Sequence, residues 1–61
     1  MEFTKENLFR LEQEWFNGKH PYLRYGQLMV NKMSIPKELG DKVYEKNTSI
    51  ARMYLWEYFG E

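Results

Sequence analysis

A glycine in the middle of an otherwise helical, aromatic-rich stripe constrains this chain more than any other feature. In the run Pro21-Tyr22-Leu23-Arg24-Tyr25-Gly26-Gln27-Leu28-Met29-Val30-Asn31, the residues Tyr22, Gly26, Met29 and Met33 recur at helical spacing. Proline is tolerated in a first helical turn, so this spacing predicts a helix from about Pro21 to Met33, with Leu23, Tyr25 and Val30 beside the stripe. Glycine costs about 1 kcal/mol relative to alanine inside a helix. Set on the inward stripe, Gly26 implies that another element crosses close by, with Trp15 as the expected neighbour.

The flanking segments read as helices too. Thr4 is a good N-cap and Asn17-Gly18 a good stop, which predicts a first helix from Lys5 to Phe16. Its apolar residues Leu8, Phe9, Leu11, Trp15 and Phe16 fall within a band of roughly 160° at 100° per residue. Ser34-Ile35-Pro36 breaks the pattern, because the residue before a proline is pushed out of the α region. From Pro36 to Lys46 the reading stays open between a short helix and a loop, since Gly40 and Asp41 weaken the helical pattern around Leu39 and Val43. Asn47-Thr48-Ser49 then offers three capping residues before a last helix, Ile50 to Phe59. There Ile50, Met53, Tyr54 and Tyr58 make one stripe while Leu55, Trp56 and Phe59 make another. A helix apolar on both sides is buried on more than one face, so it either meets a partner or folds Trp56 and Phe59 back over the first helix or the 36 to 46 segment. Met1 to Phe3 and Gly60-Glu61 are the expected frayed ends. The expected fold is a single all-α domain over residues 1 to 61, with three or four helices and a tendency to self-associate.

A chain of 61 residues buries only about 60% of the surface that its unfolded form exposes. Four Phe, five Tyr and two Trp compensate, since each buries roughly 150 to 250 Å². With no cysteine, neither a disulfide nor a thiolate zinc site can staple the fold. Met1 to Glu6 carry no cationic stretch leading into an apolar run, and no apolar run approaches the ~18 residues of a membrane span. The expected location is cytoplasmic.

The formal net charge of zero hides a pattern. Residues 1 to 18 set Lys5 and Arg10 against Glu2, Glu6, Glu12 and Glu14, a balance of −2. Residues 19 to 37 hold Lys19, Arg24, Lys32 and Lys37 with no acid, a balance of +4, and the remainder returns to −2. The basic band is either a solvated face that pairs with its acidic flanks or a surface for an anionic partner.

Little of this points to catalysis. His20 has no partner at metal-ligand or catalytic spacing. Glu12 and Glu14 are two apart on a helix and do not face each other, so both are expected in solvent with Glu38 and Asp41. The four glycines are isolated from one another and form no phosphate-binding loop. No enzyme activity, metal or cofactor is expected. The constellation that remains is Arg24, Gln27 and Asn31, at i, i+3 and i+7 on one helix face. Such side chains donate to phosphates, base edges or a protein surface, or hold a small fold together by capping carbonyls and pairing Arg24 with a carboxylate.

These residues also resemble a known pattern. A family of short proteins common in phages, prophages and bacteria carries an upstream Trp, then Pro-x-x-Arg-aromatic-Gly-Gln-Leu-x-x-Asn, and later Phe-Tyr-x-x-Asp-x-x-Leu or Ile. Trp15, Pro21, Arg24, Tyr25, Gly26, Gln27, Leu28 and Asn31 match the first part, and Tyr44 and Ile50 the second, with Val43 in place of Phe and Asn47 in place of Asp. The resemblance spans about residues 15 to 50 and implies phage or prophage origin, but no catalytic residues. By analogy with small phage proteins it suggests a protein-binding module, a stoichiometric inhibitor of a host or antiviral-defence protein acting in the host cytoplasm. Its expected partner-binding residues are Arg24, Gln27 and Asn31, with Trp56 and Phe59 as aromatic anchors. The alternatives are a small nucleic-acid-binding regulator using the band 19 to 37, and a structural phage component assembling through the last helix.

Overall fold

A computed structural model describes all residues 1 to 61, and it contains helices and no strands. The helices are α1 (Lys5–Phe16), α2 (Tyr25–Lys32), α3 (Lys37–Val43) and α4 (Thr48–Tyr58). Helices α1 and α4 begin where a capping side chain satisfies a free backbone N–H of the first turn. Thr4 caps α1, its hydroxyl accepting from the Asn7 N–H at 3.1 Å. Asn47 does the same for α4, its Oδ1 accepting from the Ile50 N–H at 3.0 Å. After α1 the chain turns through Gly18 at φ +80°, a conformation that L side chains rarely adopt, and the Lys19 N–H closes back onto the Glu14 carbonyl at 3.1 Å.

Helix α2 starts four residues later than its apolar spacing predicts. The Leu23 N–H bonds the His20 carbonyl at 3.2 Å, so Pro21 and Tyr22 occupy the middle of a turn. The Leu23 carbonyl, which an earlier helix start would have engaged along the backbone, instead accepts the Trp15 indole N–H at 3.0 Å. Arg24 is therefore the extended N-cap of α2, and Gln27 Oε1 accepts its N–H at 3.3 Å. The 36 to 46 segment resolves as the seven-residue α3.

The core consists of Leu8, Leu11, Tyr25, Leu28, Met29, Met33, Val43, Ala51 and Leu55. Helix α2 lies at its centre, packed against α1, α3 and α4, while α3 also packs on α4. Ala51 and Leu55 form the inward face of α4; of the stripe expected through Ile50, Met53, Tyr54 and Tyr58, Tyr54 packs half-buried against the core while the other three side chains are exposed. Trp56 and Phe59 fold back toward the first helix: Trp56 reaches α1, and the Phe59 ring lies 4.8 Å from that of Phe3. The opening residues are tied down, with Phe3 also 5.0 Å from Tyr58 and the Ser34 N–H donating to the Met1 carbonyl at 2.9 Å. No helix is long and apolar enough to cross a membrane.

Gly26 explains how a chain this short closes its core. The element that crosses there is the end of α3, not Trp15: a Cβ at Gly26 would overlap the Val43 carbonyl oxygen and lie 2.9 Å from its carbon. Backbone cannot swing aside as a side chain can. Gly26→Ala is expected to lose at least about 2 kcal/mol of unfolding free energy in urea titration, overpacking outweighing the gain in helix propensity. Gly40 serves as the control, since a Cβ there would meet Val30 at an ordinary 3.5 Å. Gly40→Ala is expected to be neutral or stabilising by up to about 1 kcal/mol.

Candidate functional site

Glu12, expected in solvent with Glu14, is 2% exposed. The reason is position: at 100° per residue it falls roughly 40° from Leu8, inside the apolar band of α1. A buried carboxylate needs donors, and four converge on it from two other helices. Tyr25 Oη donates to Oε1 at 2.7 Å, Arg52 Nε at 2.7 Å and the Trp56 indole N–H at 3.0 Å, while Arg52 Nη2 donates to Oε2 at 3.3 Å. The Arg52 guanidinium also lies 5.9 Å from the Trp56 ring centre. No buried side-chain polar atom in the protein lacks a partner.

The electrostatics follow from these contacts. Burial pushes the Glu12 carboxyl up, but the hydrogen bonds from Trp56, Arg52 and Tyr25, with the Arg52 charge, outweigh it and leave the group below the usual carboxylate range. Burial raises the Tyr25 hydroxyl far above its ordinary value and the Glu12 hydrogen bond adds to that, so Tyr25 remains a protonated donor. The hydrogen bond to Glu12 likewise raises Arg52.

One open groove, with a volume of about 330 Å³, lies beside this cluster. Its walls are the Trp15 and Tyr25 side chains, and its rim carries Arg24, Glu45 and Lys46 together with Asn47 and Thr48 at the start of α4. The walls are firmly placed. Trp15 is held by its bond to the Leu23 carbonyl and sits edge-on to Tyr25 at 5.8 Å and 87°. Tyr25 is fixed in turn by Glu12. The rim cations are free: neither Arg24 nor Lys46 takes part in any of the chain's ion pairs, which are Lys5–Glu61, His20–Glu14 and Arg52–Glu12.

The five residues read from sequence as partner-binding lie on two elements, Arg24, Gln27 and Asn31 on α2 and its N-cap, Trp56 and Phe59 on α4 and its C-cap. Arg24 is exposed at the groove, and Gln27 beneath it is half-buried and accepts its N–H. Asn31 is exposed nearly two turns further along α2, about 10 Å from Arg24 along the axis. Trp56 and Phe59 are half-buried on α4 and its C-cap, Trp56 bonded to Glu12 and Phe59 packed on Phe3. His20 lies in the loop after α1, its Nε2 2.9 Å from Glu14 Oε1, and that hydrogen bond lowers the Glu14 carboxyl. No three His, Asp or Glu side chains gather closely enough to hold a metal ion.

The fold and site together define a small four-helix protein organised around a buried glutamate, with a cation-rimmed aromatic groove beside it. Searches against protein-family models, curated proteins and solved structures return no match to this chain.

Because the folded pKa of Glu12 is depressed, its stabilisation is complete above the unfolded carboxylate value of about 4.3. It is lost as pH falls through the lower folded value. Glu12→Gln is expected to cost about 3 kcal/mol at neutral pH, since it removes the anion that satisfies Arg52, Tyr25 and Trp56. Tyr25→Phe is expected to cost about 1 to 2 kcal/mol. Thermal melts from pH 7 to pH 3 check both statements: the wild-type protein should lose stability more steeply than Glu12→Gln at the acid end.

Proposed function

We propose that this protein is a non-catalytic, stoichiometric protein-binding module that acts in the cytoplasm and presents the turn before α2 to its partner. On the family resemblance, that partner is a host or antiviral-defence protein and the module inhibits it. The observation that carries the reading is the exposure of Tyr22, at 96%, two residues from the unpaired Arg24. Tyr and Arg are the side-chain types that dominate binding energy at protein interfaces. Here they flank Leu23, whose backbone is anchored by the Trp15 indole, so the turn is preorganised. Gln27 supports this role by fixing the Arg24 backbone.

The distribution of basic residues favours a protein over a nucleic acid. Lys19 and Arg24 precede α2, whereas Lys32 ends it and Lys37 opens α3, so the basic band is split to the two ends of an eight-residue helix about 12 Å long. A duplex-binding surface needs such charges gathered on one face. Self-association belongs to the same proposal: Phe9 and Phe16 are each more than half exposed on α1, one on either side of the Glu12 position.

The test is affinity capture from bacterial lysate, with the mass of the free and bound protein measured by light scattering. Wild-type protein is expected to retain one partner at a fixed ratio. Tyr22→Ala and Arg24→Ala, both at exposed positions, are expected to keep their stability within about 0.5 kcal/mol and to weaken capture at least about tenfold. Folded variants that hold the partner as tightly as wild type would refute the proposal.

A further inference from the structure

We infer that the groove between the end of α1, the start of α2 and the α3–α4 turn receives an acidic side chain of the partner protein, flanked by an apolar residue. This rests on the protein-binding reading and specifies the chemistry of its contact. The groove volume of about 330 Å³ suits one or two side chains and is too small for a whole element of a partner. The half-buried Trp15 offers aromatic surface to an apolar neighbour, and the buried Tyr25 ring packs edge-on behind it. Its rim carries Arg24 and Lys46, which are unpaired within the chain, against the single carboxylate of Glu45.

That leaves one net positive charge at the rim, which one carboxylate neutralises. Arg24 is also the right kind of cation, because its planar fork matches a carboxylate in two hydrogen bonds. Arg52, by contrast, does not line the groove and already donates two hydrogen bonds to Glu12. A polyphosphate chain is a poorer match, since Lys32 and Lys37, which would have to continue the contact, stand at the far end of α2.

The experiment is an amide NMR titration of the full chain with the capped peptide Leu-Glu-Leu, its isostere Leu-Gln-Leu and a short oligothymidylate. The glutamate peptide is expected to produce saturating shifts at the Trp15 indole and at the Arg24, Lys46 and Thr48 amides. Binding should weaken at least fivefold with the glutamine peptide, and equally with Arg24→Gln protein, whose fold is checked by an unchanged Trp15 indole signal in the absence of peptide. Equal binding of both peptides, shifts spread evenly over Lys19, Lys32 and Lys37, no saturation, or tighter binding of the oligonucleotide at the same resonances would each overturn the inference. A partner captured equally by wild-type and Arg24→Gln protein but released by Tyr22→Ala would also overturn it while leaving the module reading intact. Failure of the wild-type protein to capture any partner would instead count against the module, with the titration still deciding the groove.

Discussion

The Glu12 carboxylate is the point through which the three main parts of this fold are joined. Helix α1 packs on α2, and α4 packs on α2 and α3. What joins α1 to α4 is largely long side chains, with Arg52 and Trp56 reaching across to Glu12 and Phe59 and Tyr58 meeting Phe3. A buried ion is costly to desolvate, and its partners must satisfy it geometrically or it destabilises the fold. Here the donors come from Tyr25 on α2 and from two residues one turn apart on α4. Reaching the same carboxylate from two other helices constrains how the three are placed relative to one another. In a chain with few buried residues, that geometric demand does part of the work of a larger core.

The second constraint is the approach of α2 to the end of α3. Gly26 lets the Val43 carbonyl come to a distance that any side chain would forbid, and Leu28 and Met29 next to it fill the resulting core. The two constraints meet at Tyr25, beside Gly26 in sequence, whose ring lies against Trp15 and whose hydroxyl bonds Glu12. The candidate groove inherits this rigidity. Its walls belong to the structural framework, whereas the charged side chains of its rim, Arg24, Glu45 and Lys46, enter none of the chain's ion pairs.

Much of the framework was legible in the sequence because it depends on local chemistry. The caps at Thr4 and Asn47, the stop at Asn17-Gly18 and the break at Ser34-Ile35-Pro36 act over a few residues and appear where the chain spells them. The start of α2 was misplaced because a long-range bond decided it: the Trp15 indole takes the Leu23 carbonyl, and a tolerated Pro21 becomes part of a turn. Which of the two α4 stripes faces the core is not legible from periodicity, for a related reason. Ala51 is small and contributes little to a periodicity pattern, yet it is the residue that fits where α4 meets the core.

By itself the sequence determined the class of fold, the extent of the first helix and the need for a close crossing at Gly26. These follow from 3.6-residue periodicity, capping and the missing Cβ, none of which requires knowledge of a distant neighbour. Only the tertiary structure decided which backbone fills the space at Gly26, that Glu12 is buried while Glu14 is not, and that Arg24 stands free beside an aromatic groove. Those outcomes depend on which donors and carbonyls arrive from residues 13 to 44 positions away, and a charged side chain carries the same letter whether it meets water or a ring of donors.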